Sequence, residues 1–242
     1  MHTRHISSCL LAIFLTTAVT LVVHAQEKET SSPQTARPEE TLAEHRARKR
    51  KELDTLANRK RPKLSAKEVT RHNADLLATL EDDLPARDFS WQHIVIHHTA
   101  SEWSSLARID RYHREKFEDP DGIEYHFLIG NGKKRPEGLI EPARWLLQKR
   151  AIHLFKPEGA PDAIAISLVG NLHEREIRDA QYDALLTLVH ALRQRHDIPL
   201  DHVTTHTRVD GNLTVCPGKH FPFKTLIKDL QALEEEEAAP DK

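Results

Sequence analysis

Four short stretches hold the side chains with the most chemistry to offer: Ile96-His97-His98-Thr99-Ala100, Tyr125-His126-Phe127, His153, and His206 followed by Cys216-Pro217-Gly218. Imidazole nitrogen and thiolate sulfur are both good zinc donors, and a catalytic zinc centre takes three protein ligands and keeps a fourth position for water. The spacing is not that of a zinc finger, since there is no Cys-x-x-Cys and no His-Glu-x-x-His. With 17 histidines in the chain, surface and core roles remain open for several of them. Cys216 is harder to dismiss. Of the 2 cysteines, Cys9 lies in an N-terminal apolar stretch that reads as a secretory signal peptide cleaved after Ala25. The mature chain then has one thiol and no intramolecular disulfide. A lone thiol in an exported protein is exposed to oxidation unless it is buried or coordinated.

These residues need elements to hold them. Ile94-Val95-Ile96 is a compact apolar run expected to form a central strand ending at the histidine pair. Ser104 to Lys116 has Leu106, Ile109, Tyr112 and His113 at helical spacing. Tyr125 to Ile129 reads as a strand closed by the Gly130-Asn131-Gly132 turn, and Ile164 to Val169 as a buried strand. Asp179 is expected to cap a helix carrying Leu185, Leu186, Val189 and Leu192, and Phe223 to Leu233 gives a last helix. Strands alternating with helices predict an α/β fold with a single central mixed sheet flanked by helices.

The remainder is polar. The chain has 242 residues, 30% of them charged, a mean hydropathy of −0.58 and a formal net charge of −2. That balance argues against a generally basic nucleic-acid binder. Past the signal peptide no apolar run is long enough to span a membrane. The expected organisation is a signal peptide over 1–25, a linker and charged helical extension over 26–88, the globular domain over 89–233 and an acidic tail over 234–242. Within the extension, one or two exposed helices broken at Pro62 are expected. Its basic stretch Arg46 to Lys63 reads either as a solvated helix face or as a contact for an anionic polymer.

Taken in order, the motifs resemble the zinc-dependent N-acetylmuramoyl-L-alanine amidase family, which includes phage T7 lysozyme-type amidases and peptidoglycan recognition proteins. The resemblance runs from about Phe89 to Leu230. It rests on Ile94 to Ala100 after Trp91, Tyr125 to Gly130, Arg144-Trp145 with Ala151 and His153 downstream, Ile164 to Asn171, and Thr205-His206 with Thr214 to Gly218. The resemblance implies His97, His206 and Cys216 as ligands of Zn2+, and Tyr125 and Thr214 as catalytic residues. Ser167 departs from those bacterial relatives that carry a glutamate there. It places the chain with the tyrosine-using branch. His153 falls on a family histidine near the substrate groove. Neighbouring strand residues face opposite ways, so only one of His97 and His98 should reach a metal. His98 and His126 are then structural.

The implied activity is hydrolysis of the amide bond between N-acetylmuramic acid and L-alanine in peptidoglycan. A muropeptide-binding module of the same fold without catalysis is the alternative. The implied partner is peptidoglycan or a muropeptide, and the implied location is outside a bacterial cytoplasm, periplasmic or secreted.

Overall fold

The computed structural model describes residues 40–58, 64–151, 162–209, 211 and 213–239. The expected signal peptide and His153 lie outside the described residues. Two capping boxes start the first two described helices. Thr41 and Glu44 cap α1 (Leu42–Asn58) through Glu44 N–H to Thr41 Oγ1 at 3.3 Å and Thr41 N–H to Glu44 Oε2 at 2.9 Å. Ser65 and Glu68 do the same for α2 (Ala66–Ala78).

Five strands form one mixed sheet: β1 (His93–His98), β2 (Phe127–Ile129), β3 (Ile140–Pro142), β4 (Ala163–Leu168) and β5 (Val203–Thr205). Their order is β3-β2-β4-β1-β5, with only β2 and β3 antiparallel. β4 is central and β1, expected there, lies beside it between β4 and β5; both are buried along nearly their whole length, as near-continuous apolar runs in parallel sheets usually are. Period-2 alternation splits their side chains between two cores. Ile94, Ile96, Ile164, Ile166 and Leu168 face one layer, packed under α2, α4 (Asp179–His196) and α6 (Phe223–Glu237). Val95 and Ala165 face the other, under α1 and α3 (Leu106–Phe117). A short helix α5 (His206–Val209) follows β5 directly.

Several elements differ from their expected form. The strand expected over Tyr125 to Ile129 keeps formal strand geometry only from Phe127, although His126 N–H still donates to Ala165 O at 2.8 Å. Asp179 is the first helical residue of α4 and not its cap, where its charge favours the helix N-terminus. Helix α6 continues past Leu233 to Glu237, because Glu234 pairs with Arg193 and Glu237 accepts a bond from His190 at 2.9 Å.

The two described helices of the extension are exposed over most of their residues, but each sets one side into the core. Leu53 is 1% exposed, and α1 packs on α3. Val69 of α2 and Leu80 are also buried, and Trp145 Nε1–H donates to Leu80 O at 3.0 Å. The Asn73 side chain caps the edge strand, donating to Gly138 O at 2.8 Å and accepting from Ile140 N–H at 3.0 Å. Among the described residues of the basic stretch, three basic side chains are paired within the chain. Arg48 pairs with Glu40 and Asp83, Lys49 with Asp83, and Arg50 with Asp110.

Candidate metal centre

Three donors converge at the carboxyl ends of β1 and β5, where open α/β sheets place their ligands. His97 is the penultimate residue of β1. It stands across from Ser167 of β4 on the layer that holds Val95, and its side chain is fully buried. His206 opens α5, immediately after the Thr205 that pairs with Ile96. The two imidazole rings lie 4.6 Å apart between centroids. Cys216 arrives from the loop before α6. Its Sγ is 3.8 Å from His97 Nδ1 and accepts the His98 backbone N–H at 3.3 Å. One donor atom from each of His97, His206 and Cys216 lies within 4.8 Å of the other two.

The backbone around the cysteine is tied down. Thr207 N–H donates to Cys216 O at 2.8 Å, and Cys216 N–H donates to Thr214 Oγ1 at 3.2 Å. Gly218 approaches the chain at Leu172 and His173 so closely that a Cβ there would sit 2.3 Å from their backbone, with φ at +111°.

The electrostatics suit a cation. Burial pushes the Cys216 thiol up to about 12, so its thiolate needs a positive partner to exist near neutral pH. Burial, with His206 beside it, holds His97 well below the ordinary histidine value, so it presents a neutral, donating ring. Two imidazoles and one thiolate are a zinc donor set. A tetrahedral zinc would hold nitrogen and sulfur about 3.5 Å apart, close to the 3.8 Å seen between His97 and Cys216.

His98 does not join this group. Its Nδ1 accepts the Leu172 N–H at 3.0 Å, and burial takes its pKa down to about 4. His126 is a cross-link inside the sheet. Its Nδ1 accepts the Ala165 N–H at 2.8 Å and its Nε2 donates to Lys149 O at 2.9 Å. Burial lowers its pKa to about 3.

Tyr125 lies beside the donors, its ring 5.4 Å from that of His97. Burial raises the phenol pKa above its ordinary value, the nearby Cys216 charge adds to this, and the Ser167 hydroxyl partly offsets it. Tyr125 borders a cavity of about 220 Å³ with Thr99, Ser104, Arg108, Tyr112 and His113. Thr214 borders a different one, of about 460 Å³, with His173, Thr207, Arg208, Lys219 and Phe221. Tyr125 and Thr214 therefore open onto separate spaces near the donor group. His113 received no role from the sequence. The signal was its place on the apolar face of α3, one turn after Ile109, which reads equally well as core.

Comparison with known proteins supplies a family for the chain. Residues 87–219 match the family model described as N-acetylmuramoyl-L-alanine amidase. No curated protein matches the chain. Among solved structures, the N-acetylmuramoyl-L-alanine amidase LysC from Clostridium intestinale URNW is 29% identical, with a TM-score of 0.50, covering 59% of this chain and 87% of its own. The bumblebee peptidoglycan recognition protein PGRP-SA is 23% identical, with a TM-score of 0.45, covering 56% and 80%. The Ph2119 endolysin from Thermus scotoductus MAT2119 bacteriophage Ph2119 is 21% identical, with a TM-score of 0.43, covering 59% and 86%. The matched span runs from the turn before β1 to just beyond Cys216 and so contains the whole His–His–Cys group. The chain belongs to the N-acetylmuramoyl-L-alanine amidase family.

Proposed function

We propose that this chain is a zinc-dependent amidase that hydrolyses the bond between the lactyl group of N-acetylmuramic acid and L-alanine of the stem peptide. Family membership supports action on peptidoglycan, by cleavage or by binding. The observation that carries cleavage is the meeting of the His97, His206 and Cys216 donors beside a buried tyrosine that opens onto a cavity. A module that only bound muropeptides would have no use for a buried thiol that must lose its proton to act.

His97, His206 and Cys216 would hold the zinc. In such a site zinc supplies Lewis acidity to a water and to the scissile carbonyl. The protein's own part is positional and electrostatic. Its raised pKa keeps the Tyr125 phenol protonated at neutral pH, so its O–H donates to the oxygen that gains charge when the carbonyl becomes tetrahedral. The Thr214 hydroxyl accepts the Cys216 N–H and retains its own proton to donate. Neutral His98 holds the chain at Leu172, and its backbone N–H stabilises the Cys216 sulfur as an anion. The N-terminal apolar stretch supports export to the periplasm or beyond, where this substrate lies.

Metal analysis tests the reading. Protein purified without chelator should carry about one zinc per chain. Cys216→Ser and His206→Ala should lose both the metal and peptidoglycan hydrolysis. A wild-type chain that takes up no added zinc would overturn the site.

A further inference from the structure

The segment that delivers Tyr125 has almost no regular structure of its own, and it is stitched to α3 by two successive backbone bonds. Ile123 N–H donates to Asp110 Oδ1 at 3.0 Å, and Glu124 N–H donates to His113 Nδ1 at 3.0 Å. His113 is 3% exposed, and its ring stands edge-on to Tyr125 at 5.2 Å. The approach to α3 is very close: a Cβ at Gly122, where φ is +76°, would lie 2.1 Å from Asp110 Oδ1.

Asp110 is in turn held both from α1 and from within α3. Both its oxygens accept from Arg50 Nη2 of α1, at 3.1 and 3.0 Å, and Oδ2 also accepts from Arg114 Nε at 2.9 Å. The other terminal nitrogen of Arg50 donates to the backbone oxygen of Asp121, in the same loop. Arg50 therefore grips the helix and the loop at once. The Asp110 and Arg50 side chains are only 13% and 18% exposed, so solvent screens the contact less than at a surface pair.

We propose that Arg50 of the N-terminal extension is a positioning residue for Tyr125, acting through Asp110 and the 121–124 loop. The extension is then part of the amidase machinery and not an arm attached to it. This rests on the reading of Tyr125 as the oxyanion donor. Neither Arg50 nor Asp110 borders the cavity beside Tyr125, so their effect is indirect.

A double-mutant cycle tests this, with kcat on peptidoglycan fragments as the readout. Tyr125→Phe alone should lower kcat by about 10²–10³, the scale for one oxyanion donor. Arg50→Ala should lower kcat by about tenfold or more, a misplacement effect, while zinc content stays at that of wild type. In a Tyr125→Phe background Arg50→Ala should change kcat by less than about twofold, because the hydroxyl it positions is gone. Amide exchange at Ile123 and Glu124 should quicken in Arg50→Ala. If Arg50→Ala fails to fold, Arg50→Lys replaces it, keeping the charge and losing the fork. Equal losses in both backgrounds, or no loss in either, would overturn the positioning role. A Tyr125→Phe protein with wild-type kcat would overturn the donor reading beneath it, and the role of Arg50 with it.

Discussion

His97 and His98 are chemically identical neighbours that the strand sends to different fates. His97 points into the layer where His206 and Cys216 wait, and His98 points the other way, with its Nδ1 committed to the Leu172 N–H. The two substitutions should therefore separate. His97→Ala should abolish zinc binding. His98→Ala should retain zinc and instead cost stability, about 1–3 kcal/mol for the unsatisfied Leu172 N–H, with cavity loss adding to it. Isothermal zinc titration of both variants, beside urea unfolding, checks this. Zinc retained by His97→Ala and lost by His98→Ala would mean that the register of β1 has been misread.

At the scale of elements, α1 and α2 each set one side into the core while most of their residues stay exposed. Leu53 is 1% exposed in a helix where nearly half the residues are charged. Leu53→Ala should cost about 2–5 kcal/mol by urea unfolding, the range for a leucine emptied from a core. A change under about 0.5 kcal/mol would show α1 to be loosely held. The sequence made β1 and β4 legible because Ile94 to Ile96 and Ile164 to Ile166 are unbroken apolar runs, whereas the three-residue strands β3 and β5 were too short to show a pattern and were not expected. The two histidines that the structure brings beside Cys216 were singled out by the order of motifs in the resemblance. The burial of α1 was not legible. It depends on Arg50 meeting Asp110 and Lys49 meeting Asp83, partners far apart in sequence, and charged residues at such positions read as solvated. His113 was hidden for the opposite reason, as a polar residue on a face that already looked like ordinary packing.

For the molecule as a whole, two buried neutral histidines outside the donor group set an acid limit. His98 and His126 have folded pKa values of about 4 and about 3, below the ordinary histidine value. The unfolded chain therefore binds more protons than the folded one between pH ~6.5 and these values. The stability they contribute is fully present above pH ~6.5 and is lost as pH falls toward 4 and then 3. Unfolding free energies from urea titration should drop across that window by an amount on the order of a few kcal/mol, with lower midpoints, and His126→Gln should flatten part of the slope. A midpoint constant from pH 7 to 4 would mean that these rings are not held neutral.

The central claim is the bond cleaved, and purified peptidoglycan decides it. Digestion with the zinc-loaded chain, followed by mass analysis of the soluble products, should give stem peptides with a free L-alanine amine and glycan with a free lactyl carboxyl. Both should disappear in Cys216→Ser. Products cut within the glycan or within the stem peptide, or peptidoglycan bound but left uncut by the fully metallated protein, would contradict the assignment.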